Sequence, residues 1–153
     1  MDLKVIADGI AARFVNVTAT NGADTETATA TADLPNQVAT LALLVYPPTG
    51  ALNIIMGPKL DDQYDFAVRL LRDPYNVPNR TQWLYAWATA MRTRVQTSWS
   101  LGIAGVTQAE TKDMRVEIDG EKYGSVDGTF GTFDVVELIV RVWVYENATS
   151  VGP

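Results

Sequence analysis

The sequence predicts an α+β protein: a mostly antiparallel β-sheet with two main helices packed on one face, in a single domain. Three observations predict it. Residues 2–15 and 79–98 carry apolar side chains at spacings of three and four, the period of a helix. Other stretches, of which 132–146 is the longest, alternate at the period of a strand. The third is the order: helix, excursion, three strands, helix, hairpin, long strand. At 153 residues such a chain can bury a core without disulfides or metals.

Asp2 is placed to cap the first helix, and Leu3, Ile6, Ile10 and Phe14 form its apolar stripe. Gly9 lies inside it at a cost of about 1 kcal/mol. Residues 17–37, rich in Thr and Ala, have few large side chains to anchor a strand in a core. They read as a long surface excursion, either a functional loop with an edge strand or a plain connector. Residues 38–46 form a nearly continuous apolar strand, as expected when both faces are covered. Pro47 and Pro48 cannot donate to a ladder and stop it, Gly50 permits a turn, and "ALNIIM" supplies a second strand. In "QYDFAVRLLR" Tyr64, Phe66, Val68 and Leu70 share one face, with Asp65 and Arg69 opposite.

Asn79 and Gln82 have the spacing of a capping box at the start of the second helix. Its stripe is Leu84, Trp87, Met91 and Val95, with Trp83 and Ala88 beside it and Arg80, Arg92 and Arg94 on the polar side. After a loop at 100–112, "MRVEIDGEKYG" reads as a hairpin turning at Asp119-Gly120 in a type I′ turn. A glycine-rich bend leads to the last strand. There Val136, Leu138, Val140, Val142 and Val144 line one face, and Glu137, Ile139, Arg141, Trp143 and Tyr145 the other.

Composition narrows the chemistry. Cys and His are both absent, which removes thiol nucleophiles, disulfides, Ser-His-Asp and Cys-His catalysis and the commonest transition-metal ligands. No apolar run reaches the roughly 20 residues that span a bilayer, and "MDLKVIADG" lacks the basic start of a signal peptide. No membrane role and synthesis in the cytoplasm are expected. A net charge of −6 opposes sequence-independent DNA binding, which needs a cationic surface.

The remaining catalytic groups are carboxylates. "KLDDQYD" gathers Asp61, Asp62 and Asp65, which as oxygen ligands can in principle hold a divalent cation, or else form a solvated strand entry. The spacing is not that of an EF-hand. The glycines at 120, 124, 128 and 131 precede a strand rather than open a helix, so they are a bend and not a phosphate loop. Three matches to the glycosylation sequon, at Asn16, Asn79 and Asn147, are read as chance. Most of the four tryptophans sit at core spacing, which favours burial over stacking on a ligand. No catalytic residue, cofactor or metal site is expected.

Taken together, "IADGIAARF", "LPNQVATLALLVYPPTG", "YDFAVRLL", "TQWLYAWATAMRTRV", "MRVEIDGEKYG" and "GTFDVVELIVRVWVY" span nearly the whole chain. In this order they resemble the tail-terminator and head-to-tail joining (neck) proteins of long-tailed, siphovirus-type bacteriophages. That resemblance implies a structural virion protein with an α+β fold. It implies a hexameric ring at the head-proximal end of the tail tube, which ends tube polymerisation and joins tail to head. The implied partners are further copies of the chain, the tail tube protein and a head-completion (stopper) protein, with DNA passing through the lumen without specific binding.

On this reading the candidate subunit or ring contacts, chosen for apolar character, are Tyr46, Pro47, Pro48, Leu52, Ile54, Ile55, Met56, Tyr123, Phe130, Trp143 and Tyr145. The Pro-Pro corner then serves as a preformed ledge, or it simply turns a hairpin within one subunit. Three other readings stand beside this one: a stopper or other neck protein, a small carboxylate-dependent metal-binding protein or enzyme, and a ligand-binding module using exposed tryptophans.

Overall fold

The computed structural model describes residues 2–48, 59–74, 78–95, 99–103 and 106–147. Along the chain lie α1 (Leu3–Arg13), β1 (Val17–Asn21), β2 (Asp24–Ala28), β3 (Leu41–Val45), β4 (Lys59–Arg72), α2 (Arg80–Thr93), β5 (Val106–Gly124) and β6 (Phe130–Asn147). β1 and β2 form a two-stranded sheet, and the others form a four-stranded antiparallel sheet in the order β3-β4-β6-β5. The fold is α+β, as the periodicities predict.

The helix stripes are the core. Ile6, Ile10 and Phe14 of the α1 stripe are fully buried, as are Leu84, Trp87 and Met91 of α2. They share one cluster with Val17 and Ala19 of β1 and with alternate residues of the sheet: Leu43 and Val45, Phe66 to Leu70, Val136 to Val144. Asp2 caps α1 by accepting from the Lys4 N–H at 2.9 Å. Gly9 has a packing reason: a Cβ there would stand 2.8 Å from Ile103 Cδ1, so glycine lets that side chain lie against the helix.

Five expectations need correction. The Thr/Ala tract lies largely at the surface, as expected, but over residues 17–28 it is the β1–β2 hairpin, a two-stranded sheet of its own rather than a connector, turning at Gly22 (φ +64°). Two residues of its first strand are buried, while the rest of the tract is half-buried or exposed. Val17 and Ala19 are 1% exposed, and short side chains let the hairpin lie close to α2.

Asn79 does begin α2, but in the left-handed region (φ 62°) and without a side-chain cap, so no capping box forms. The start is instead held by Arg80, whose guanidinium grips the buried Asp134 carboxylate at 3.0 and 2.6 Å. α2 ends at Thr93 rather than near 98, although Val95 still reaches the core.

Asp119-Gly120 is not a hairpin turn. β5 runs through it, with a register shift between Glu117 and Glu121, so the pair forms a bulge opposite Asp134. Asp119 takes the positive φ (54°) that a type I′ turn also requires, and its N–H bonds Asp134 Oδ1 at 3.0 Å. The true turn is 125–129, where the Asp127 carboxylate accepts from both the N–H and the hydroxyl of Thr129. The fifth correction follows: β5 starts at Val106, inside the stretch expected to be loop. The strand expected at 51–56 lies outside the described residues.

Candidate functional site

The strands present a second face, and neither α1 nor α2 contributes a residue to it. At one end of this face Val38, Leu44, Leu71, Phe133 and Val135 form a small separate apolar cluster, with Tyr46 and Tyr123 packed against it. Beyond the cluster the face is charged. Antiparallel register sets Arg69, Glu137 and Arg115 side by side across β4, β6 and β5, and two steps further on Asp65, Arg141 and Glu110. The first row reads plus, minus, plus and the second minus, plus, minus. Directly opposed charges on neighbouring strands are the pairs that stabilise a sheet face.

The bonds follow the register. Arg69 donates to Glu137 through Nε, and through its terminal nitrogen to Glu121 at 3.0 Å. Arg115 donates to the other Glu137 oxygen at 3.1 Å. Arg141 forms a two-pronged pair with Asp65 at 2.8 and 3.0 Å, the strong fork geometry of guanidinium and carboxylate. Burial pushes the Glu137 carboxyl up, but the hydrogen bonds and charges of Arg69 and Arg115 outweigh it and hold the group below its ordinary value.

The aromatic residues are fixed on the same face. The Arg69 guanidinium lies 4.4 Å from the Tyr46 ring centre. Burial, with the nearby Glu121 charge, pushes the Tyr46 phenol up to about 12. The Tyr123 hydroxyl donates to the Pro35 carbonyl. Trp143 is half-buried at the far end of the face, and Tyr145 follows it in the β6 register opposite Asp61.

Of the residues predicted from sequence, then, the fold gathers Tyr46, Tyr123 and Trp143 on one face, together with the register position of Tyr145. Pro47 is exposed and Pro48 half-buried where the chain leaves β3. Phe130 is separate, 80% exposed at the end of the β5–β6 hairpin. Leu52, Ile54, Ile55 and Met56 lie outside the described residues, as does the Tyr145 side chain.

Of the aspartates of "KLDDQYD", the side chains of Asp61 and Asp62 lie outside the described residues. Asp65 is committed to Arg141, and no group of three or more acidic side chains able to hold a metal is found among the described residues. Among the described residues no helix is long and apolar enough to cross a membrane.

Sequence reasoning missed two part-buried ion pairs. One is Arg80–Asp134. In the other Glu26 of the Thr-rich hairpin accepts from Arg72 at 3.0 and 2.8 Å and from Trp87 Nε1 at 2.8 Å, with Arg72 stacked 4.8 Å from the Trp83 ring centre. The signal was present: Arg72 and Asp134 occupy core-facing positions of otherwise apolar strands.

No protein-family model matches this chain, and no curated protein matches it at a significant level.

Proposed function

We propose that this protein is a structural component of a virion, a tail terminator that assembles as a hexameric ring on the head-proximal end of a phage tail tube. The observation that carries the reading is the second face of the sheet. It bears rows of opposed charge flanked by aromatic residues, and neither described helix covers it. Side chains already fixed in cross-strand bonds lose little freedom when a partner docks, so such a face binds at low ordering cost.

The α+β fold agrees with what the family resemblance implies, as an analogy of fold alone. The charge balance supports the same role. At −6 per chain, a ring offers passing DNA no sequence-independent affinity. Tyr46, Pro47 and Pro48, where β3 leaves the sheet, give this face a stiff border suited to a neighbouring subunit.

The test is electron microscopy of tail tubes grown from the tube protein of the same virus, with and without this protein. Rings capping one end only, on tubes that have stopped growing, are the expected result. Binding to tail-less heads while tubes ignore it would assign the protein to the stopper position instead. Indifference to both would refute the virion reading.

A further inference from the structure

The four-stranded sheet has two edge strands, β3 and β5, and the chain closes the first of them. Along β3 the Thr31 N–H bonds the Leu43 carbonyl at 3.1 Å, and the Val45 N–H bonds the Thr31 carbonyl at 2.9 Å. β5 is closed at its ends alone. Ala109 exchanges two backbone bonds with Trp99, at 3.0 and 3.2 Å, and the Gly124 carbonyl accepts from the Val38 N–H at 2.8 Å. Over residues 114–117, no described residue makes a backbone bond to the outer side of the strand. An open strand edge is a template for another strand.

The register shows which groups face the opening. Ala109 turns its N–H and C=O outward to Trp99, so its pair with Val142 is one that exchanges no hydrogen bonds. The shift between Thr111 and Met114 adds a residue to β5 and leaves β6 regular. Counting along β6 in twos, Met114–Leu138 and Val116–Val136 are pairs of the same kind. Met114 and Val116 therefore aim their backbone donors and acceptors away from β6.

Residues 114–118, "MRVEI", are self-complementary. Two copies laid antiparallel about Val116 set Arg115 against the partner's Glu117 twice and Met114 against the partner's Ile118 twice. Ile118 is 50% exposed and gains an apolar neighbour. Arg115 and Glu117 already pair within the strand at 3.1 Å, both about half exposed, so docking alternates four charges and strands none. Centring on Arg115 instead would oppose Arg115 to itself and Asp113 to the partner's Glu117. Centring on Met114 would draw on the bulged residues 112 and 113. Bulges on both sides confine the pairing to this stretch, and β3 offers no second open edge for growth.

We infer that the free protein is a two-fold dimer joined through the β5 edge, with the two sheets continuous across residues 114–118. The axis stands perpendicular to the sheet at Val116. Such a contact is isologous and does not close a head-to-tail ring. It goes beyond the ring reading without resting on it, and describes the chain before it meets a tube end.

Native mass spectrometry at high protein concentration weighs wild type, Arg115→Glu and Glu117→Arg, each first checked for wild-type circular dichroism. Wild type is expected to be a dimer. Each variant opposes like charges twice and is expected to be monomeric. An equimolar mixture of the two restores both opposed pairs, so heterodimers are expected. Dimers from either variant alone at the wild-type level, or no heterodimer on mixing, would overturn the contact. Arg115 also bonds Glu137, so a second measurement avoids changing it. The chain has no cysteine, and Val116→Cys places one thiol at the axis. Paired Cα atoms there stand about 5.5 Å apart, within disulfide reach. Oxidation is expected to link this variant as a covalent dimer and to leave Tyr85→Cys, at a 62% exposed position on α2, unlinked. Equal linking of the two, or none through residue 116, would overturn the contact. So would a wild type that is monomeric or forms larger rings alone. A dimer that fails to cap tail tubes would remove the ring reading and leave this contact standing.

Discussion

Arg72 is 5% exposed, so its charge must be met inside the protein, and Glu26 meets it while also accepting from Trp87. One carboxylate thus ties the β1–β2 hairpin to both the sheet and α2. Removing it leaves a buried guanidinium unpaired. Glu26 is itself partly exposed, so water softens the loss, and Glu26→Ala is expected to cost about 2–3 kcal/mol. Urea denaturation measures it; a change within error of zero would mean the hairpin is held by Val17 and Ala19 alone. The pair also sets a pH dependence. Burial raises the Glu26 carboxyl, but bonds from Arg72 and Trp87 leave it below its ordinary value of 4.5. A carboxyl depressed in the folded state contributes stability that is complete above the unfolded value and lost as pH falls through the folded one. The stability gap between wild type and Glu26→Gln is therefore expected to hold at neutral pH and narrow below about 4.5. A gap constant with pH would contradict the linkage.

At the scale of elements, what the sequence revealed depended on whether a pattern had one structural meaning. The stripes Ile6–Ile10–Phe14 and Leu84–Trp87–Met91 did, and so did the alternation along β6, because only a buried helix face or strand face produces them. Asp119-Gly120 did not. Both a type I′ turn and a bulge need positive φ, and the choice fell to Asp134, a partner 15 positions away. The hairpin of small residues was missed for a related reason: its burial depends on α2 approaching closely, which is a property of tertiary packing and not of the segment. The start of α2 carries the next prediction. Asn79 sits at φ 62° without using its side chain as a cap, so the position rewards conformational freedom alone. Asn79→Gly is expected to leave stability unchanged or raise it by up to about 1 kcal/mol, whereas Asn79→Val, β-branched in the left-handed region, is expected to cost about 1–2 kcal/mol. Thermal unfolding of the two variants separates them. Equal effects would show that the backbone there relaxes to another conformation.

For the whole molecule, the part of the candidate site legible in advance was its aromatic residues. Tyr123 and Trp143 fell on strands, and Tyr46 just past the end of β3, all on the face away from the helices. The charge rows were not legible, because Arg69, Glu137 and Arg115 come from three strands and meet only through the β4–β6–β5 register. That register allows fold and assembly to be tested apart. Asp65 and Arg141 face each other directly, and both side chains are about 30% exposed. Exchanging them as Asp65→Arg with Arg141→Asp preserves the pair and reverses its order on the surface. Partly exposed pairs contribute little, so the exchange is expected to change stability by less than about 1 kcal/mol. Either single reversal sets like charges opposite each other and is expected to cost more. If the second face docks against a partner, that partner reads the order of the charges and not merely their pairing. The doubly exchanged protein is then expected to unfold at the wild-type urea midpoint yet fail to cap tail tubes. Capping by this variant at wild-type efficiency would remove the charge rows from the contact and leave it to the aromatic border.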